Sequence, residues 1–413
     1  MRGMLLLLCI PAGCEQRAES LSSTTPPVNL SATTTAPVVD RRIRVQLLRE
    51  TSQCAILIQE PFDVRDAGGS CLASLDHPVP LTCTFDTSGI QLGSSEQTFP
   101  MDSLELVPSG TGLVEVQLPD GPRRYRGSLR LVRRGDNAGA VINAVDIEDY
   151  LIGVVAAEVP SSFAPAALAA QAIAARTYAW YQKLTVGRAR DWDVTDSESY
   201  QVYIGVQSDA RAAPAARAVR ETRGLVCTWD SPEGPRVFPT YYSSTCGGCT
   251  RVARVRSNEP AFSPLCGGVL CDYCRHSPVY RWEPLRLDKS VVTAKLRRQY
   301  PLFSSIGQIE VIEVVESVQG RPVRLKLLDG RGRSIDLDAE DFRLSLDSSG
   351  RLLKSTYCVP VSQGATFVFT EGRGFGHGVG MCQYGADGMA RAGKTPGEIL
   401  RHYYPSTELI RAY

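Results

Sequence analysis

The chain has almost no surplus charge: 45 Lys+Arg stand against 44 Asp+Glu, a net of +1 over 413 residues. That balance argues against a protein whose main work is gripping nucleic acid or an acidic lipid surface. No apolar run reaches the roughly 18 residues that cross a bilayer as a helix. There is no sustained heptad pattern and no short-period repeat, which removes coiled coils and solenoids. What is present, 43% hydrophobic and 22% charged residues, suffices for one large core or two smaller ones. It excludes a disordered tail or a disulfide mini-protein.

The first residues have the build of an export leader. Arg2 is followed by the apolar run Met4 to Ile10 and then by Pro11-Ala12-Gly13-Cys14. Ala-Gly-Cys resembles a bacterial lipobox, in which Cys14 would be lipidated. Pro11 stands where Leu is usual, so a truncated leader or a misassigned start is the alternative. Residues 15–40 are rich in Ser, Thr and Pro and nearly free of aromatics. They read as a disordered tether. The expected location is extracytoplasmic, in the periplasm or cell envelope, with membrane contact only through a lipid anchor at Cys14.

From Arg41 to Val141, short β-like runs alternate with turn signals. Ile43-Arg44-Val45-Gln46-Leu47 alternates strictly, and Gly, Pro, Asp and Ser clusters separate the runs. From Asp146 the period becomes helical. Asp146 is a candidate N-cap, and Glu148 and Asp149 fall in the first turn, where the helix dipole favours negative charge. Pro160 ends this helix, and a second, Ala-rich one runs from about Pro165 to Lys183. Strands return at residues 308–370, followed by a glycine-rich loop and a closing helical stretch. The expected class is α+β: a β-rich N-terminal lobe and mixed strands around a helical core, with a cysteine-rich, metal-stapled loop.

Glu158 shares a helix face with Ile147, Leu151 and Val154 and sits at the helix C-terminus. Burial and the negative end of the dipole both disfavour its anion, which suits a general acid. A helix-ending Glu turned to solvent, or paired with an arginine, is the plain alternative.

Three segments carry a family resemblance. Asp149-Tyr150-Leu151-Ile152-Gly153-Val154-Val155-Ala156-Ala157-Glu158-Val159-Pro160 precedes Ala169-Ala170-Gln171-Ala172-Ile173-Ala174-Ala175-Arg176-Thr177-Tyr178-Ala179. Near the end stand Gly372-Arg373-Gly374-Phe375-Gly376-His377-Gly378-Val379-Gly380-Met381-Cys382-Gln383-Tyr384-Gly385-Ala386 and Ile399-Leu400-Arg401-His402-Tyr403-Tyr404-Pro405. Together they resemble the stage II sporulation protein D (SpoIID)/LytB amidase-enhancer family, with Phe375 where Trp is usual and Cys382 where Ser is usual. The resemblance implies a family core over 142–413, behind a β-rich lobe at 41–141, with the glycine-rich motif at 371–405. It also implies a lytic transglycosylase that cleaves MurNAc–GlcNAc linkages in peptidoglycan glycan strands, with Glu158 as the essential acid. The second half of the family name implies another role, a non-catalytic wall-binding enhancer of a cell-wall amidase. Nucleic acid is not an expected partner.

A lone carboxylate suffices for such cleavage, because the sugar's own C6 hydroxyl can attack the anomeric carbon and leave a 1,6-anhydro end. Candidate substrate contacts are Arg176, Gln171, Tyr178, Tyr200, Tyr203, His377 and Gln383. Arg176 also suits a structural ion pair, and the tyrosines also suit packing. Cys246-x2-Cys249 and Cys271-x2-Cys274, about twenty residues apart, have the spacing of a structural tetrahedral zinc site in the region 241–280. Disulfides are the alternative that an exported location favours.

Overall fold

The computed structural model describes residues 39–76, 79–93, 98–110, 112–197, 200–207, 212–231, 233–253 and 262–413. The leader, Cys14 and nearly all of the tether lie outside the described residues. The chain is α+β and divides into two compact units, one of Ser31–Val226 with Ile410–Tyr413, the other including Cys227–Leu409.

The first unit opens with two antiparallel sheets. The seven-stranded sheet runs in the order Val194–Thr195, Arg42–Thr51, Gly139–Asp146, Ser128–Arg133, Ser103–Pro108, Phe62–Asp66, Cys71–Leu75, its short first strand being parallel to its neighbour. The six-stranded sheet runs Gly121–Arg126, Leu113–Leu118, Gln53–Ile58, Val79–Asp86, Gly89–Leu92, Thr98–Phe99. Period-two alternation drives this arrangement: Ile43, Val45 and Leu47 are buried while Arg42 and Arg44 reach outward. Phe85 of the second sheet lies over Gly139 of the first, where a Cβ would come within 2.3 Å of the ring.

The strand Gly139–Asp146 leads directly into helix α1, Ile147–Glu158. Asp146 caps it, its side chain accepting the Glu148 N–H at 2.9 Å. Helix α2, Pro165–Leu184, starts with proline in its first turn and buries a nearly continuous Ala-rich surface. Helix α3, Ala212–Glu221, packs on both.

In the second unit, helices α4, Lys289–Gln299, and α5, Ala339–Leu346, close a core containing Val292, Leu296, Phe303, Leu325, Leu327, Phe342, Phe367 and Phe369. Its main strands are Ile309–Val318, Arg321–Asp329 and Ser334–Asp338, with a second sheet of Leu285–Asp288, Thr366–Thr370 and Val359–Gln363. The glycine-rich segment lies along residues 241–251. Thr245 and Phe375 exchange backbone hydrogen bonds, Arg251 N–H donates to Gly378 O at 2.8 Å, and Tyr242–Ser243 pairs in parallel with Met381–Cys382. Helices α6, Gln383–Arg391, and α7, Pro396–Tyr403, follow, the latter behind a Thr395/Glu398 capping box.

Candidate active site and cysteine cluster

Glu158 is the last residue of α1 and is half-buried. Its Oε1 accepts the backbone N–H of Val202 at 2.9 Å. The segment that supplies this donor, residues 200–207, is held by two glycines. Gly153 of α1 lets it approach, since a Cβ there would meet Gly205 O at 2.7 Å and the Tyr203 ring at 2.9 Å. Gly205 adopts φ +71, and its own Cβ would meet Arg124 O at 2.1 Å. Val206 N–H fastens the segment to the sheet through Arg124 O at 2.7 Å.

Beneath Glu158 lies a buried aromatic layer. Tyr150 and Tyr203 have ring centroids 4.9 Å apart, and Tyr125 is 5.5 Å from Tyr203. The Tyr150 hydroxyl donates to Gln201 Oε1 at 3.0 Å, and Gln201 Nε2 donates to Ala175 O at 3.2 Å. The Tyr150 phenol is pushed far up, by burial first and then by Tyr203 and the nearby carboxylates of Glu158 and Asp196. Asp196 went unnoticed in the sequence. It is mostly buried, 3.8 Å from Arg123, and burial pushes its carboxyl up to about 6 against the pull of that arginine. The only sequence signal was an acid beside a strand end, Val194-Thr195-Asp196, which many surface turns share.

The expected substrate contacts sort differently from their sequence reading. Arg176 does not reach toward a ligand. It is fully buried and bidentate to Glu148, with Nε–Oε1 at 3.1 Å and Nη2–Oε2 at 2.8 Å. It also donates to Val219 O and Leu225 O. The same Glu148 accepts Gly224 N–H and the Tyr413 hydroxyl. Burial alone would raise the Glu148 carboxyl, but Arg176 holds it below the ordinary range. Tyr203 is likewise buried, its hydroxyl bonded to Asn143 Oδ1 at 3.1 Å, so it packs instead of lining an open groove. Tyr178 is buried. Gln171 is buried, and neither amide atom has a partner among the described residues. Among the three tyrosines expected to meet substrate, Tyr200 alone is half-exposed, with Arg190 Nη1 donating to its hydroxyl at 3.3 Å and Trp192 edge-on.

His377 and Gln383 belong to the second unit. His377 Nδ1 accepts the Val379 N–H at 3.0 Å. Burial pulls its imidazole down to about 4, against the opposing pull of Glu340. Gln383 is buried, with Nε2 unpartnered among the described residues.

Four buried thiols gather in the second unit: Cys246, Cys271, Cys274 and Cys382, their sulfurs all within 4.8 Å of one another. Cys249, expected as the fourth member, is not among them. Gly247 and Gly248 turn the chain at φ +76 and +116, and Cys249 enters a backbone bridge with Leu270. Its Sγ donates to Thr250 O at 3.4 Å. Cys382 takes the place because the glycine-rich segment runs beside residues 242–245. No local spacing connects positions 246 and 382, so the sequence could not pair them.

The sequence profile of the family described as SpoIID, stage II sporulation protein, matches residues 136–229. That span holds α1, α2, Glu158 and the segment 200–207, and it stops short of the four clustered cysteines. An uncharacterized protein of Brachyspira hyodysenteriae (strain ATCC 49526 / WA1) is 32% identical over 289 residues, covering 69% of this chain and 72% of the relative. Stage II sporulation protein D of Bacillus subtilis (strain 168) is 29% identical over 289 residues, covering 67% and 77% respectively. The amidase enhancer of the same organism is 27% identical over 303 residues, with 63% of this chain but 40% of the enhancer covered. The expected resemblance therefore holds, and the chain belongs to the stage II sporulation protein D (SpoIID)/LytB amidase-enhancer family.

Proposed function

We propose that this protein is an extracytoplasmic peptidoglycan lytic transglycosylase that remodels cell-wall glycan, with Glu158 as its acid and base. The observation that carries the reading is the half-buried Glu158 carboxyl at the end of α1, with one oxygen held by the Val202 N–H. Glu158 protonates the glycosidic oxygen between MurNAc and GlcNAc as that bond breaks. The muramic C6 hydroxyl then bonds to the anomeric carbon, and its proton returns to Glu158. No water is consumed, and the product is a 1,6-anhydro end. The nucleophile belongs to the substrate, so the two-carboxylate arrangement of hydrolases is not required.

Tyr200 is the aromatic best suited to meet a sugar face, and Asp196 adds a second carboxylate near the site. A structural zinc in the cysteine-rich region, and a leader that delivers the chain to the envelope and anchors it through Cys14, complete the reading. In Glu158→Gln, release of anhydro-muropeptides from peptide-free glycan should fall by roughly 10²–10⁴-fold, as for loss of a general acid, while glycan binding stays. Undiminished release would overturn the mechanism.

The likeness to an amidase enhancer favours a second reading, a wall-binding module that acts through an amidase partner. It predicts that purified protein retains the polymer intact and creates no new glycan ends.

A further inference from the structure

We infer that a polar hollow on the outer face of the seven-stranded sheet binds an α-amino-acid zwitterion, its carboxylate on Arg130 and its ammonium on Glu105 and Asp66. The source rests on the wall-glycan reading above: the free end of a diamino acid in a stem peptide. The hollow measures about 190 Å³ and lies within the first unit. Pockets for drug-sized ligands begin near roughly 300 Å³, so this one suits a head group better than a sugar ring.

Strand register builds the hollow. Arg44, Ala144 and Ser128 stand side by side on three neighbouring strands, and the Ala144 methyl leaves open the space that a longer side chain would fill. Arg130 and Glu105 face each other across the next strand pair. Most charges around the hollow are already spent. Arg44 donates to Asp193 Oδ1 at 2.6 Å and to the Arg190 carbonyl at 2.8 Å. Arg42 Nε donates to Asp40 Oδ1 at 3.2 Å, and Asp40 Oδ2 accepts Lys183 Nζ at 3.2 Å. Arg65, on the far side of Glu105, is taken by Asp63 at 2.8 Å.

Three groups are left over. Arg130 is half-buried and has no side-chain partner among the described residues. Opposite charges facing each other across a strand pair ordinarily join. Here Glu105 instead turns Oε1 to the Ser128 hydroxyl, with Arg42 Nη1 3.7 Å away, and its Oε2 accepts nothing among the described residues. Asp66 gives Oδ1 to the Ser70 N–H at 2.8 Å, and its Oδ2 is left over in the same way. A half-buried guanidinium suits a carboxylate, which it can take through two parallel N–H bonds. The two carboxylates beside it repel a simple anion and attract an ammonium. The hollow is lined by three arginines and three acids, so a ligand without net charge keeps the balance. An α-amino acid with both groups free carries that pattern on one carbon, and a diamino acid held in a peptide by one end presents it at the other.

The test is titration calorimetry of the full chain with four titrants. These are an N-acetylated stem tripeptide ending in meso-diaminopimelate, free meso-diaminopimelate, and the tripeptide blocked at its far end, either acetylated on the amine or amidated on the carboxylate. The expected result is one tripeptide per chain, bound at least as tightly as the free diamino acid. Either blocked form should bind about 10–100-fold more weakly, the worth of a hydrogen bond to a charged group. Arg130→Gln should weaken the unblocked tripeptide by a similar factor and leave the amidated form unchanged. Glu105→Gln should weaken the unblocked tripeptide and leave the acetylated form nearly unchanged. Equal binding of blocked and unblocked peptides, or no binding of any titrant at millimolar concentration, would overturn the inference. Binding of the free diamino acid without the tripeptide would overturn the stem-peptide source. The blocked peptides are measured on wild-type protein, so they decide the matter even where a variant does not fold. Glu158→Gln should bind the tripeptide as wild type does, which separates this inference from the glycan-cleavage reading.

Discussion

Arg176 shows how a family motif residue can serve the fold. Its guanidinium joins α2 to α1 through Glu148, to α3 through the Val219 carbonyl and to the strand Leu225–Ser231 through the Leu225 carbonyl. Removing one member of a buried pair strands the other in a low-dielectric interior. Arg176→Ala should therefore cost about 3–5 kcal/mol in urea unfolding. Asp196 makes the opposite contribution. Burial pushes its carboxyl up to about 6, above the ordinary aspartate value of 3.8, so the folded state holds its proton more tightly. Its stability contribution is full below pH 3.8 and is lost as pH rises through 6. Asp196→Asn should gain about 1–3 kcal/mol at pH 7 relative to wild type and nothing near pH 3.5, measured by denaturant midpoints at the two pH values.

Among the elements, α1 and the segment 200–207 act together. Gly153 is the contact that lets the segment approach Glu158. Gly153→Ala should cost about 1–3 kcal/mol by overpacking and should lower glycan cleavage more than glycan binding, because the Val202 donor shifts. Equal loss of both would point to general unfolding. The limits of α1 and α2 were legible in the sequence because local chemistry sets them: the Asp146 cap, Pro160 after the first helix, Pro165 at the start of the second. The alternation of Ile43, Val45 and Leu47 likewise showed a half-buried strand. The role of residues 200–207 was not legible. It rests on the close approach of two glycines from distant positions, and no periodicity encodes that. Cys382 was hidden for the same reason, its partners lying more than a hundred positions away. A family motif marks Arg176, and an aromatic ring suits a sugar face at Tyr203, but burial makes both of them fold-forming groups.

At the scale of the whole molecule, two compact units hold separate candidate sites: the Glu158 carboxylate within the span matched by the family profile, and a thiol cluster outside it. Under the proposed glycan-cleaving function, the near-zero net charge leaves the chain without a general electrostatic pull on its polymer. Sugar recognition by hydrogen bonds and aromatic stacking is weakly screened, unlike polyanion binding. Raising salt from about 50 to 500 mM should change glycan affinity less than about threefold, read by co-sedimentation with purified glycan; a much steeper loss would indicate charge-driven binding. The most direct measurement is the mass of fragments released from peptide-free glycan by purified wild-type protein and by Glu158→Gln. Transglycosylation predicts muramic ends one water lighter than hydrolysis would leave, produced by wild type and nearly absent from the variant. Full-mass reducing ends, or equal release by both proteins, would contradict Glu158 as the acid and base of an anhydro-forming cleavage.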